Sequence, residues 1–254
     1  MDTRSYIAES LVLKGRDYGE ADRILIIFTR EKGKISAIAK SSRKSSSHLR
    51  GVTQLFSHSR LSFAGGKNGG LATITQGETI DSFFGLREDF DKIAYASYLA
   101  ELVDCVLPEG KPQEGLFILL TVVYTLLEAM EDAELIVRYF ELKMLSLLGY
   151  RPQLKNCVIC DRALSGGQFL LAPSRGGIVC ASCNRLQEDA IPLSNGAIAT
   201  MDRMFDQELA KWFNLKVSPA YRQELEPAIA AYMAYYLERT PRAKEVFHKF
   251  TAPY

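Results

Sequence analysis

Apolar and polar residues alternate with a period of two through the first eighty residues. Tyr6 to Leu13, Asp22 to Phe28, Lys34 to Ala39, Leu55 to Phe63 and Leu71 to Gln76 are five β-prone runs. Turn residues separate them at Gly15 to Gly19, Arg30 to Gly33, Lys40 to Gly51 and Gly65 to Gly70. Five short strands in so short a stretch suit a small closed barrel, either an OB-fold or an SH3-like barrel. From Glu88 the period changes to that of a helix. Phe90, Ile93, Ala94, Leu99, Leu102, Val103 and Val106 recur at steps of three and four until Pro108 and Gly110. Leu116 to Met130 reads as a second helix, nearly all apolar, and Leu135 to Leu148 as a third, stopped by Gly149 and Pro152. Further on, Ser194 can cap a helix reaching Trp212, another runs from about Arg222 to Arg239, and a short one fits Ala243 to Phe250. Pro227 either opens or kinks the helix that contains it.

Between the third and fourth helical stretches stand two cysteine pairs, Cys157-Val-Ile-Cys160 and Cys180-Ala-Ser-Cys183, with nineteen residues between Cys160 and Cys180. A C-x-x-C turn directs both sulfurs to one side, so two such turns supply a tetrahedral set of thiolates. Four thiolates leave no position for substrate or water, which predicts one structural zinc ion rather than a catalytic one. Phe169-Leu170-Leu171 and Ile178-Val179, flanked by Gly166-Gly167 and Gly176-Gly177, predict a small β-ribbon that carries the second pair. Two disulfides would use the same four residues, and a redox pair would have to open a helix within a βαβ unit, which neither pair does. Cys105 falls in an apolar helical stretch and reads as a small buried hydrophobe. The expected architecture is an α+β multidomain chain. It has a barrel in residues 1–80, a helical body in 81–151 and 190–254, and a four-cysteine zinc ribbon inserted at 152–189.

Charge sharpens this division. Residues 1–80 hold 13 Lys/Arg against 7 Asp/Glu, whereas residues 81–254 hold 18 against 23. No acidic residue occurs from Lys32 through Gly77. A positive field confined to one small domain attracts polyanions. The long Lys40–Arg50 break is Ser-rich, with Lys40, Arg43, Lys44 and Arg50 spread through it, and reads as a flexible loop able to contact phosphates. Gly65-Gly66-Lys67-Asn68-Gly69-Gly70 lacks the G-K-[ST] ending of a phosphate loop and reads as a hairpin tip.

Other classes are poorly supported. The longest apolar stretch, Leu116 to Leu127, is interrupted by Thr121 and Thr125 and falls short of the roughly twenty residues that span a bilayer, so no membrane partner is expected. The polar opening Met1-Asp2-Thr3-Arg4-Ser5 lacks a signal peptide's apolar run, and thiols paired for zinc suit a reducing cytoplasm. Only His48, His58 and His248 are present, and no nucleophile elbow, zincin, Walker or dinucleotide motif occurs. Asp81, Glu88, Asp89 and Asp91 gather where a helix starts and complement its dipole. The chain reads as a binding protein, not an enzyme. Two other classes stay open, a zinc-ribbon RNA-binding module and a nuclease or nucleotidyl transferase using scattered carboxylates.

Several segments together resemble the bacterial recombination mediator family RecO. They are Gly19-Glu20-Ala21-Asp22-Arg23-Ile24, Phe28-Thr29-Arg30-Glu31-Lys32-Gly33-Lys34, Ala39-Lys40-Ser41-Ser42-Arg43, Arg138-Tyr139-Phe140-Glu141-Leu142, Leu148-Gly149-Tyr150 and Lys244-Glu245-Val246-Phe247. The loop after the third strand departs from the family, carrying Ser41-Ser42-Arg43-Lys44-Ser45 where members often have a glycine and more lysines. The resemblance implies an OB-fold, a helical body and, in some members, a four-cysteine zinc site. It also implies DNA repair by binding single- and double-stranded DNA and annealing complementary strands, at the nucleoid. RecR is the implied partner in helping RecA displace single-strand-binding protein (SSB), whose acidic C-terminal tail the helical part binds. A role for RecF is left open. On this reading Lys34, Lys40, Arg43, Lys44 and Arg50 contact phosphates, and Cys157, Cys160, Cys180 and Cys183 hold the metal. Phe28, Phe56 and Phe63 are either stacking partners or barrel core. Arg138 and Phe140, or Lys143 one turn on, are the tail-binding candidates, with Arg239, Arg242 and Lys244 as alternatives. Arg138 and Glu141 would equally form an intrahelical pair.

Overall fold

In a computed structural model, residues 5–65, 71–164, 169–183, 189–207 and 216–237 are described. The residues fall into two compact units, one comprising those up to Val137 and the other Arg138–Glu238. The compact units thus divide well beyond the boundary expected at residue 80, because the first helices belong with the barrel.

In the first unit β1 (Tyr6–Tyr18), β2 (Asp22–Thr29), β3 (Gly33–Ala39), β4 (His58–Gly65) and β5 (Ala72–Asp81) close into a barrel in the order β1-β2-β3-β5-β4. β1 pairs with both β2 and β4, and only β3 and β5 run parallel. This is the OB-fold arrangement, and the SH3-like alternative falls. Inward positions such as Ala8, Val12, Leu25, Ile27, Ala37, Leu61, Phe63 and Ile74 fill the interior. Two strands outrun the apolar pattern. β1 continues past Leu13 to Tyr18 and β5 past Gln76 to Asp81, because ladder bonds to β2 and β4 hold them although Lys14–Tyr18 is exposed. Alternation reports burial and is blind to pairing between solvated strands.

The connection from β3 to β4 departs further from expectation. It is a run of hydrogen-bonded turns rather than a loose loop, with Lys44 N donating to Ser41 O, Ser47 N to Lys44 O and Arg50 N to Ser47 O. Leu49 and Val52 enter the barrel core from it. β4 starts at His58 rather than Leu55, since Phe56 takes a left-handed conformation (φ 67°) and donates to Val12 O instead of joining the ladder.

Helices α1 (Gly85–Glu88), α2 (Phe90–Val106) and α3 (Glu114–Ala129) complete the first unit. α1 is a single turn, too short for a periodic signal. Asp89 caps α2 by accepting from the amides of Asp91 and Lys92. From α3, Phe117 packs edge-on against Phe28 (5.3 Å) and His58 (5.8 Å), and Tyr124 against Phe56 (5.4 Å) and Phe83 (5.6 Å). Phe28, Phe56 and Phe63 are all fully buried, so these three are core. Arg30 adds a polar tie, its Nε donating to Glu114 at 2.9 Å and its Nη1 to Glu9 at 3.2 Å.

α4 (Ala133–Leu147) leads into the second unit. There β6 (Phe169–Ala172) pairs antiparallel with β7 (Gly177–Cys180) as the glycine-flanked runs predict, and β8 (Ile191–Leu193) adds a third strand. α5 (Asn195–Asp206) is capped by Ser194, and α6 (Pro219–Tyr236) by Ser218 with Pro219 in its first turn. Pro227 lies inside α6 rather than opening it. Trp212 and the helix expected at Ala243 to Phe250 lie outside the described residues.

Phe117 joins helix to barrel through two aromatic partners. Phe117→Ala is expected to lower stability by about 3–5 kcal/mol, read as a reduced urea midpoint with an unchanged slope.

Candidate metal centre and nucleic-acid interface

The metal centre is built from backbone outward. Gln153 N donates to Gly176 O, Ile178 N to Gln153 O and Val158 N to Ile178 O, each at 2.9 Å, so the first cysteine turn lies along the free edge of β7. A Cβ on Gly177 would come 2.5 Å from Gln153 O, so only glycine allows this approach. Asp161, in the left-handed region (φ 57°), turns the chain after Cys160 so that Cys157 N can donate to Arg162 O. β7 ends on Cys180, and a 3₁₀ turn over Ala181–Cys183 presents the second pair.

The four Sγ atoms all lie within 4.8 Å of one another. Cys160 and Cys180 Sγ are 3.8 Å apart, far beyond a disulfide bond of about 2.05 Å. Tetrahedral Zn–S bonds of about 2.3 Å place sulfurs about 3.8 Å apart, so the spacing fits that ion. Burial pushes the Cys157 thiol up, but amides of Cys180, Cys160 and Ile159 directed at its sulfur outweigh this and bring it to about 6. Cys183 is pushed the other way, to about 12, first by its bonding to the Cys180 and Cys160 sulfurs. Neighbouring thiolates repel, and a dication among them makes four thiolates compatible. The cluster can hold a metal ion and is suited to zinc.

The barrel cations fall into two groups. Lys40, Lys44 and Arg50 are exposed on the β3–β4 connection. Lys34 instead turns inward, with Nζ 2.9 Å from Asp104 Oδ1. Arg43 donates to the carbonyl of Glu20 at 3.1 Å and lies 3.2 Å from Asp17, bracing the connection against the β1–β2 turn. Asp22 holds the neighbouring Ser41 amide at 2.7 Å. The acid-free window is a property of sequence neighbours only, and Asp17 and Asp104 enter it from outside. Nothing in the local sequence marks those partners, since Asp104 stands seventy residues from Lys34. Lys67 lies outside the described residues.

A model described as recombination protein O N terminal matches residues 1–83, and one described as recombination protein O C terminal matches residues 87–245. The chain belongs to the RecO family. It is 38% identical over 243 residues to a DNA repair protein RecO of Symbiobacterium thermophilum, covering 94% of this chain and 95% of that one. A DNA repair protein RecO of Pelotomaculum thermopropionicum is 38% identical over 245 residues, covering 96% and 94%. One from Desulforamulus reducens is 33% identical over 240 residues, covering 94% and 93%.

In this RecO-family chain Arg138 and Phe140 are interior. Phe140 is fully buried, and Arg138 Nη1 lies 2.6 Å from the buried Glu141, the intrahelical pair foreseen, with Nη2 3.3 Å from Glu226. Buried arginine beside buried glutamate is a structural ion pair. Lys143, on the next turn, donates to Phe205 O and lies 5.5 Å from the Tyr139 ring, and desolvation lowers its pKa. Arg239, Arg242 and Lys244 lie outside the described residues. Among the described residues no helix is long and apolar enough to cross a membrane.

Purified protein is expected to carry about one zinc per chain and Cys160→Ala well under half that, by atomic absorption. Chelation should expose Lys155, Arg162 and Arg175 to trypsin before the barrel is cut.

Proposed function

We propose that this chain is a recombination mediator. It binds single- and double-stranded DNA, anneals complementary strands and, with RecR, helps load RecA onto SSB-coated single-stranded DNA. The observation that carries this reading is the exposure of Lys40, Lys44 and Arg50 together on one turn-rich connection of an OB-fold barrel. Family membership supports the repair role.

Annealing needs no bond-making by the protein. Two strands repel through their phosphates, and cations that neutralise several phosphates on each strand lower that barrier and raise local concentration. Lys40, Lys44 and Arg50 make the contacts. Arg43 holds the connection in place and offers its outer edge, and Lys34, paired with Asp104, makes no phosphate contact. Because the connection is tied down by its own turns and by Leu49 and Val52, little ordering entropy is lost on binding. The metal is one structural zinc ion that stabilises the ribbon and takes no part in DNA chemistry. The protein acts in the cytoplasm, at the nucleoid.

For the SSB tail, an acidic peptide ending in an apolar residue and a carboxylate, a cation beside an apolar surface is required. With Arg138 and Phe140 inside, Lys143 beside Tyr139 is our candidate on α4.

The test is the annealing rate of two complementary strands pre-coated with SSB, without nucleotide, across a salt series. Acceleration that falls with salt is expected. Changing Lys44 and Arg50 together to Glu should weaken DNA binding at least about tenfold at moderate salt and flatten the log–log salt slope by about 2. No acceleration at any salt by folded, zinc-loaded protein overturns the reading, and a preference for structured RNA would replace it.

A further inference from the structure

The last five residues of β1 bury nothing, yet they carry a pattern of their own. Gly15 faces inward, since a Cβ there would stand 3.0 Å from Leu25 of the barrel core. Alternation therefore puts Lys14, Arg16 and Tyr18 together on the outer face. Their ladder partners on that face are Ile26, Ile24 and Asp22 of β2, and Ile26 and Ile24 pair in turn with Ser36 and Ile38 of β3. Ile24, Ile26 and Ile38 are only half-buried, so the face has an apolar floor partly open to solvent. Tyr18, at its edge, is 52% exposed.

Tyr18 ends β1 and is followed by Gly19 in the left-handed region (φ 57°). Arg43 reaches across from the β3–β4 connection and donates to the Glu20 carbonyl at 3.1 Å. The hairpin end bearing Tyr18 is thus tied to the segment bearing Lys40 and Lys44. Among the described residues, no ring meets that of Tyr18 and no carboxylate pairs with Lys14 or Arg16. The carboxylates nearby are mostly committed. Asp17 lies between Arg23 (3.5 Å) and Arg43 (3.2 Å), and Asp22 accepts from the Ser41 amide at 2.7 Å. Glu20, at the hairpin tip, stays exposed.

Cations two residues apart on a strand are spaced by about 6–7 Å, comparable with the step between phosphates of an extended single strand. An apolar floor with an exposed aromatic ring at its edge suits a planar base, and every base has a π face to offer. An acidic peptide would also meet cations and an apolar surface here. Continuity favours the nucleic acid, because Arg43 joins this hairpin to the connection whose Lys40, Lys44 and Arg50 face phosphates.

We propose that Tyr18 stacks on an unpaired base of single-stranded DNA while Lys14 and Arg16 contact the flanking phosphates. The proposal rests on the nucleic-acid reading above and extends that site from the β3–β4 connection onto the outer face of β1 and β2. Duplex DNA hides its base faces, so the Tyr18 contact is made by single strands alone.

The experiment measures fluorescence-anisotropy binding of full-length zinc-loaded protein to oligodeoxythymidylate, to an abasic strand of equal length and to an acidic peptide ending in an apolar residue, across salt. Tyr18→Ala is expected to weaken oligodeoxythymidylate binding at least about fivefold, without changing the salt slope or the abasic affinity. Tyr18→Phe should restore wild-type affinity, because the ring face and not the hydroxyl makes the contact. Changing Lys14 and Arg16 together to Gln should weaken both strands and flatten the log–log salt slope by about 1.4. Unchanged oligodeoxythymidylate affinity in Tyr18→Ala, or an equal loss on the abasic strand, overturns the stacking contact. So does loss of the acidic peptide with oligodeoxythymidylate retained, which makes the face a peptide site. In each case the barrel reading stands if the Lys44 and Arg50 change still weakens DNA binding. Failure of wild type to bind either strand overturns both.

Discussion

A barrel of five strands closes its own edges but not its ends, and the burial of those ends is the constraint on which the first unit depends. α3 answers it with two aromatic side chains. Phe117 sits against Phe28 and His58, and Tyr124 against Phe56 and Phe83. Phe56 belongs to the β3–β4 connection, so the packing that seals the barrel also fixes one end of the segment carrying Lys40, Lys44 and Arg50. The other end is held by Asp22 on the Ser41 amide and by Ala21 O on the Arg43 amide. With Leu49 and Val52 in the core between them, the connection is part of the barrel, and its cations stand on a shaped surface.

Folding also sorts those cations by the partners it gives them. Lys34, with a side chain only 14% exposed, would be costly to bury alone, and Asp104 compensates it. Arg43 spends its charge at close range on Asp17. Lys40, Lys44 and Arg50 stay in water, where side chains keep the freedom to follow a flexible polyanion. The same logic accounts for Arg138. A guanidinium within hydrogen-bonding reach of a fully buried carboxylate is committed to the fold, and docking a peptide on it would first require breaking that pair.

The second unit solves a different problem. Around the sulfurs the ribbon buries Cys157, Ala172 and Val179 in one small cluster, with the other three cysteines packed around them. Four sulfurs converge there in a cluster that can hold a metal ion, and Gly177 and the left-handed Asp161 let the backbone bring them together.

The sequence by itself determined the features that local chemistry encodes. Period-two alternation placed five strands, period-three-and-four steps placed α2 to α4, and C-x-x-C spacing picked out the four cysteines that the fold brings together, because each signal lies within a few neighbouring residues. Ser194 and Asp89 announced helix starts for the same reason. Only the tertiary structure decided how far β1 and β5 extend, since a solvated strand is held by its partner and not by its own hydrophobicity. It likewise decided which cations face solvent. Lys34 and Lys40 look alike in sequence, yet Asp104 neutralises one and leaves the other exposed, and Coulomb energy depends on distance in space rather than along the chain.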